Sequence, residues 1–586
     1  KHNMQKELKI TLIALIGLVH LLSAQDDKDI GTETVNVVRP YSPTISDAFK
    51  VKSIPNLNDS MVLQKKKIEY SIFSIPVAST FTPTKGKASV VQKAIPEKLY
   101  NSYAAVSLGN FSSALADFYT SRDIDRGNKR VDFGLNHHSS RGDLEDVLLD
   151  TDFYNTKLNA SYNQKERDLN WRADIGFQHQ KYNWYGLPEG IFDEATISTI
   201  NEGQNYFGLE AGAQLQMEES VFAGGEVLYR RFWDAVDSGE NRFLLKPEFQ
   251  FPVSSELLTL KVVFDYVGGS FKNASINSST NTTGIDYGQM QIGANPNLVL
   301  SGDKYTLNLG ASLVYGTDTE QSGSNFYIYP EISASYRLLD DTLIAYGGVE
   351  GGLDQNSYYG FVGENPFVSP TLTILPTDRQ YDGFLGIKGQ LISSLSYNVK
   401  AFYRAENRKP LYKLNPQNDF RDDEKGYYYG NSFEVFYDDI KTLGLFAELN
   451  VDISRDFTLG ANVELFDYNT ETDNPAWNLP DVKGSLLMDY QIGEKWFLGA
   501  NLFYVGERQD LSAQVVENLQ PADFPSTVIT LDSFFDVNAH VGYHFNEQLS
   551  IFAKANNIAN NAYQRWANFR VQSLQVLAGV SYKFDF

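Results

Sequence analysis

Four groups of residues in this sequence have types and spacings that could do chemistry. His137-His138-Ser139-Ser140 sets two imidazoles beside two hydroxyls, a pairing suited to nucleophilic attack on an ester such as a phospholipid. A triad needs a third group to orient the base, and the sequence places none, so a His pair at the outer end of a strand reads as a solvated rim. Asp143, Glu145, Asp146, Asp150 and Asp152 crowd one stretch and could hold a divalent cation. Their spacing is not that of an EF-hand, and a solvated acidic loop is the plainer reading. Gly347-Gly348 and Gly351-Gly352 could cradle a phosphate, but inside a strand paired glycines more simply allow curvature or close packing. Lastly, Glu33, Thr34, Val35, Asn36, Val37 and Val38 form an acidic, β-branched hexapeptide, a segment able to add to the edge strand of a partner. No Gly-x-Ser-x-Gly elbow, Walker loop or paired-His metal signature occurs. The chain is therefore not expected to be an enzyme, and no catalytic residue, metal or cofactor is expected.

The elements that must position these groups read as strands almost throughout. At the C-terminus Leu574, Val576, Ala578, Val580, Tyr582, Phe584 and Phe586 are apolar, whereas Gln575, Gly579, Ser581, Lys583 and Asp585 are polar or small. Period-two alternation of this length is a strand with one apolar face, and an aromatic-rich strand at the very end of a chain is how outer-membrane barrels close. The same pattern pairs 154–162 with 169–177, 207–217 with 221–229, 243–251 with 258–266, 290–300 with 305–315, 326–336 with 343–349, and 381–389 with 395–403. Residues 433–437 and 443–451 are either two strands or one long strand interrupted at Asp438-Asp439.

Connections alternate too. Short polar turns at 218–220, 301–304, 340–341 and 392–394 take turns with long polar loops at 183–204, 272–285, 354–379 and 406–426. Short at one rim and long at the other is the asymmetry of a barrel with periplasmic turns and outside loops. The expectation is an all-β fold: a transmembrane antiparallel β-barrel of about 22 strands, in a range of 18 to 24, over residues 101–586, preceded by a short extended segment.

Composition agrees. There are no cysteines, 35 tyrosines, 38 phenylalanines and 5 methionines, and the formal charge is −23. Residues 25–100 hold eleven Lys/Arg against eight Asp/Glu, so the acidic excess belongs to the barrel region. Nucleic acid is excluded as a partner by that sign, outer-membrane lipid is implied by the strands, and an acidic lumen wall would favour cationic or neutral solutes. Lys1, Lys6 and Lys9 before the apolar run 10–22, with Ser23-Ala24-Gln25 after it, read as a signal peptide over 1–24. Residues 25–100, with six prolines and Lys65-Lys66-Lys67, are expected to be extended, either as a periplasmic tail or as a lumen-filling, vestigial plug.

Several segments resemble the barrel of TonB-dependent receptors, especially those of Bacteroidota. Leu479-Pro480-Asp481-Val482, Tyr504-Val505-Gly506-Glu507-Arg508, Asn556-Asn557-Ile558 with Tyr563, and Val580-Ser581-Tyr582-Lys583-Phe584 carry the likeness, which covers roughly the last 190 residues. The resemblance implies a place in the Gram-negative outer membrane, uptake of a bulky nutrient, and a TonB box at Glu33–Val38 that pairs with the periplasmic TonB protein. Two departures stand out: the segment before the barrel is too short for a full plug domain, and Asn568-Phe569-Arg570 stands where Pro-Gly-Arg commonly precedes the terminal strand. The leading expectation is an outer-membrane receptor or porin for solute passage, its solute unidentified. The alternative is a plug-less barrel serving as scaffold in an outer-membrane complex, with 354–379, 406–426 and 509–529 docking a surface or periplasmic partner protein.

Overall fold

The computed structural model describes residues 98–585, apart from 126, 143, 145, 255, 274–275, 277–283, 418–424 and 515–523. The signal-peptide reading, the hexapeptide Glu33–Val38, the tail to residue 97 and Phe586 lie outside the described residues. Twenty-two strands, each antiparallel to its neighbours in sequence, form one sheet. The sheet closes because the first strand, Ser102–Gly109, pairs along its length with the last, Gln575–Phe584. Closure leaves no unpaired edge, the condition for a sheet to lie in lipid.

Alternation decides which face meets lipid. Val576, Val580 and Tyr582 are about half exposed on the outer surface, while Gln575 and Leu577 from the other parity are buried inside. Ile328 and Leu385 on other strands lie in the same outer belt. Tyr305, Tyr336, Tyr490 and Trp496 are outward-facing near the short turns, where amphipathic rings suit the lipid–water boundary.

The expected hairpins are all present, extended at their outer ends; 207–217 becomes Gly203–Met217 and 395–403 becomes Leu395–Leu414. Residues 433–451 lie in one 22-residue strand, Phe433–Ser454. The interruption at Asp438-Asp439 is absorbed by its partner, whose register shifts between Glu406 and Lys409. This β-bulge also corrects the loop expected at 406–426: pairing continues to Leu414, and the connection runs from 415 to 432. Asn407-Arg408-Lys409-Pro410 breaks the hydrophobic alternation without breaking the ladder, so periodicity ends before the strand does. Gly348 shows why glycines cluster at 347–352: a Cβ there would sit 2.6 Å from the Ile332 carbonyl oxygen and 2.8 Å from the Phe384 ring. Close packing, not phosphate binding, accounts for it.

Candidate functional site: a sealed mouth above a polar basin

A barrel of 22 strands is too wide for its wall side chains to fill. In this protein described parts of the outer loops pack together inside the outer end of the lumen, and a cavity opens toward the inner end against the wall made by residues 119–295. The fill begins with helix α1, Tyr358–Glu364, in the connection after strand Leu343–Asp354. Ser357 starts the helix, its hydroxyl accepting from the Gly360 N–H at 3.0 Å. Tyr358, Phe361 and Val362, spaced i, i+3, i+4, fall on one face and are buried.

That face joins Trp184 of loop 184–202, Tyr427 of loop 415–432, Leu531 at the end of a small hairpin (Arg508–Ala513 with Ser526–Leu531), and Phe569 of the last outer connection. Phe569 lies at the junction. Its ring stacks on Phe367 at 4.0 Å between centroids and meets Tyr185 at 4.9 Å and Phe433 at 5.7 Å. Gly186 leaves room for it, since a Cβ there would stand 2.4 Å from the ring. Arg570 ties the same connection to loop 184–202 through Glu189 at 2.7 Å.

Two wall carboxylates hold the helix in place. Glu240, near the outer end of strand Gly239–Val253, is 1 % exposed. It accepts from the backbone N–H of Tyr358 at 2.5 Å and of Tyr359 at 3.4 Å, and from the Tyr287 hydroxyl at 2.9 Å. Free N–H groups at a helix start carry partial positive charge, which a carboxylate complements. Asp234 accepts from the Tyr358 hydroxyl at 2.8 Å and fastens its own tight turn through the N–H groups of Val236 and Ser238. Arg230 lies over the Tyr359 ring, 3.8 Å from guanidinium carbon to centroid, with Nε and Nη2 buried and without hydrogen-bond partners among the described residues. Stacking on the ring, with Glu210 3.9 Å from Nη1, holds this cation.

A second carboxylate hub fastens the hairpin. Asp510 is fully buried and accepts from Leu414 N at 2.9 Å, Leu511 N at 2.8 Å and Asn478 Nδ2 at 2.7 Å. Burial pushes its carboxyl up to about 6, against the pull of these donors. Because the folded state holds this proton more tightly than the unfolded chain, the cap is stabilised below about pH 4. That stabilisation is lost as pH rises through 6. Opening free energies from native-state hydrogen exchange, corrected for intrinsic rates, are therefore expected to be about 2–3 kcal/mol larger for this hairpin at pH 4 than at pH 7.5. Asp510→Asn should flatten the difference.

Below the cap, toward the short turns, lies a cavity of about 1680 Å³. Arg130, Lys165, Arg172, Lys246 and Lys261 face Asp132, Glu218, Glu219, Glu226 and Glu248 around it. Five basic and five acidic groups balance, so the overall acidity of the chain does not make this basin a cation filter.

The other chemical candidates do not converge. His137 bonds Thr156 Oγ1 at 2.8 Å and Ser139 Oγ at 3.1 Å, and the His138 ring is edge-on to Phe153 at 5.0 Å. Asp152 pairs with Lys181 at 2.7 Å and Asp146 reaches Arg570 at 3.5 Å; Asp143 and Glu145 lie outside the described residues. No group of three potential metal ligands gathers among the described residues. What sequence reasoning missed was the cap. Its signal was Tyr358-Tyr359 with Phe361-Val362, an apolar cluster inside a loop otherwise read as exposed.

No curated protein sequence is similar enough to count as a relative. Among solved structures, the FrpB iron transporter of Neisseria meningitidis superposes with a TM-score of 0.63 at 11 % identity, over 83 % of this chain and 82 % of its own. The pyoverdine outer-membrane receptor FpvA of Pseudomonas aeruginosa gives 0.59 at 14 %, over 84 % and 80 %. The ferric-catecholate import receptor Fiu of Escherichia coli K12 gives 0.57 at 10 %, over 83 % and 82 %. Such identities establish a shared fold. The sequence itself matches the family described as TonB dependent receptor-like, beta-barrel, over residues 98–558. With that match spanning most of a closed 22-strand barrel, the chain belongs to the TonB-dependent receptor-like β-barrel family of the outer membrane.

Proposed function

We propose that this protein takes a bulky solute up across the outer membrane through its lumen, with its own outer loops as the resting seal and residues 25–100 as a minimal plug. The observation that carries this reading is the division of the lumen, an aromatic seal at the mouth above a wide polar basin of about 1680 Å³. A passive pore gains nothing from a mouth fastened by buried carboxylates, whereas a receptor that admits one solute at a time requires closure between events. The neighbours named for pyoverdine and ferric catecholates make a metal chelate a reasonable solute class. In this reading Glu33–Val38 pairs with a strand of TonB, and that pairing delivers the energy for release.

Single-channel recording in planar bilayers tests it. The mature chain is expected to be silent, removal of 25–100 to give brief openings, and the same deletion with the Glu240 latch removed to give sustained conductance. Steady conductance by the full mature chain would refute the seal, and silence of the doubly altered barrel would refute passage. Deleting 33–38 alone should abolish energised uptake in cells while leaving the single-channel record unchanged.

A further inference from the structure

A second, smaller cavity of about 260 Å³ lies on the lumen side of the barrel's outer rim, apart from the basin. Its wall carries Arg408, Tyr327, Gln291, Asn325 and Asp318, and its apolar floor is Leu353 and Leu375. Arg408 is built into it by strain. It sits in the bulge of strand Leu395–Leu414 with φ at +54°, a left-handed conformation that non-glycine residues rarely adopt. Asp439 accepts its N–H at 2.7 Å and its carbonyl accepts from the Thr377 hydroxyl at 3.0 Å. The bulge re-aims the side chain, and strain held by surrounding bonds tends to mark function.

The charges around the cavity are unequally engaged. Asp318 is engaged through both oxygens: Gln289 donates to one at 2.7 Å, and the N–H groups of Glu320 and Gln321 to the other at 2.9 and 2.8 Å. Gln291 bonds Gln355 of the capping loop. The Arg408 guanidinium has a single weak contact, Nη2 to the Tyr327 hydroxyl at 3.3 Å, and no ion pair among the described residues. A guanidinium offers a planar fork of donors that matches a carboxylate.

We propose that this cavity is a binding site for a small polar organic anion, whose carboxylate is taken by Arg408 and whose hydroxyl or amide groups meet the Gln and Asn side chains. Its volume falls just below the roughly 300–1,000 Å³ of sites for drug-sized ligands, so the ligand is a single small unit rather than a bulky chelate. The inference rests on the uptake reading for its purpose only, since binding in detergent does not depend on transport.

The test is calorimetric titration of the detergent-solubilised full mature chain with gluconate and, as an uncharged probe of the same size, glucose. Gluconate is expected to bind at least about tenfold tighter than glucose, and Arg408→Gln to erase that preference while Arg408→Lys keeps part of it. Equal affinity for the two probes, no binding of gluconate up to about 10 mM, or an unchanged preference in Arg408→Gln would overturn the proposal. Heat-shifted electrophoretic mobility verifies that each variant remains a folded barrel. Should Arg408→Gln not fold, the gluconate-over-glucose preference of the unaltered chain decides alone.

Discussion

Replacing Glu240 with alanine is expected to unlock the mouth of the barrel. The carboxylate, itself buried, receives two backbone N–H groups from the start of α1 and one tyrosine hydroxyl. Removing it strands two buried donors and one half-buried one, and also takes away one of the two carboxylates near Arg230, whose guanidinium already lacks partners at two nitrogens. Breaking a buried charged network of this kind is destabilising by about 3–5 kcal/mol. Much of that falls on the docked state of the helix, because the strands carrying Glu240 and Arg230 are held by their own ladders. A shift of that size changes the ratio of docked to undocked helix by roughly a hundredfold to several thousandfold. The expected result is faster hydrogen exchange over 355–376 with the strand amides unchanged. Glu240→Gln keeps one acceptor oxygen and should fall between. If exchange over 355–376 in Glu240→Ala matched that of the unaltered protein, the latch would be wrong.

Phe569→Ala is expected to loosen the whole cap rather than one loop. The ring is 1 % exposed and touches residues from three separate stretches of chain, Tyr185, Phe367 and Phe433. Deleting a buried aromatic side chain removes its transfer free energy and leaves a cavity, together about 3–5 kcal/mol. Gly186 sharpens the expectation, since the space it leaves is shaped to this ring and a smaller side chain leaves it unfilled. Limited proteolysis should cut 184–202, 355–376 and 557–574 together, at rates raised in parallel. Cleavage confined to 557–574 would mean that the ring does not couple the loops. In both variants the barrel itself should still migrate as a folded, heat-modifiable species, because Ser102–Gly109 and Gln575–Phe584 close it through a continuous ladder of their own.

The contrast between strands and loops explains how much could be read from the chain. A strand that faces lipid on one side and water on the other writes its structure locally, as an alternation of period two, so Val576, Val580 and Tyr582 announce their face without knowing their neighbours. The alternation of short and long connections gave orientation, and the total length gave a strand count near 22. Where side-chain polarity stopped reporting the ladder, reading failed: at the Arg408 bulge a polar run continues a strand that periodicity ends too early.

The sequence by itself thus determined a closed outer-membrane barrel, its lipid face, its rims and its membership of a receptor-like family. Tertiary structure alone decided that the long loops turn inward, that Glu240 and Asp234 meet a helix more than a hundred residues away, and that Asn568-Phe569-Arg570 lies at the centre of the seal. The physical reason is that burial of a loop depends on contacts between distant segments, with no repeating local environment to imprint a period on the residues. An isolated carboxylate such as Glu240 looks in sequence like any solvated acid; only the donors that fold around it make it a latch.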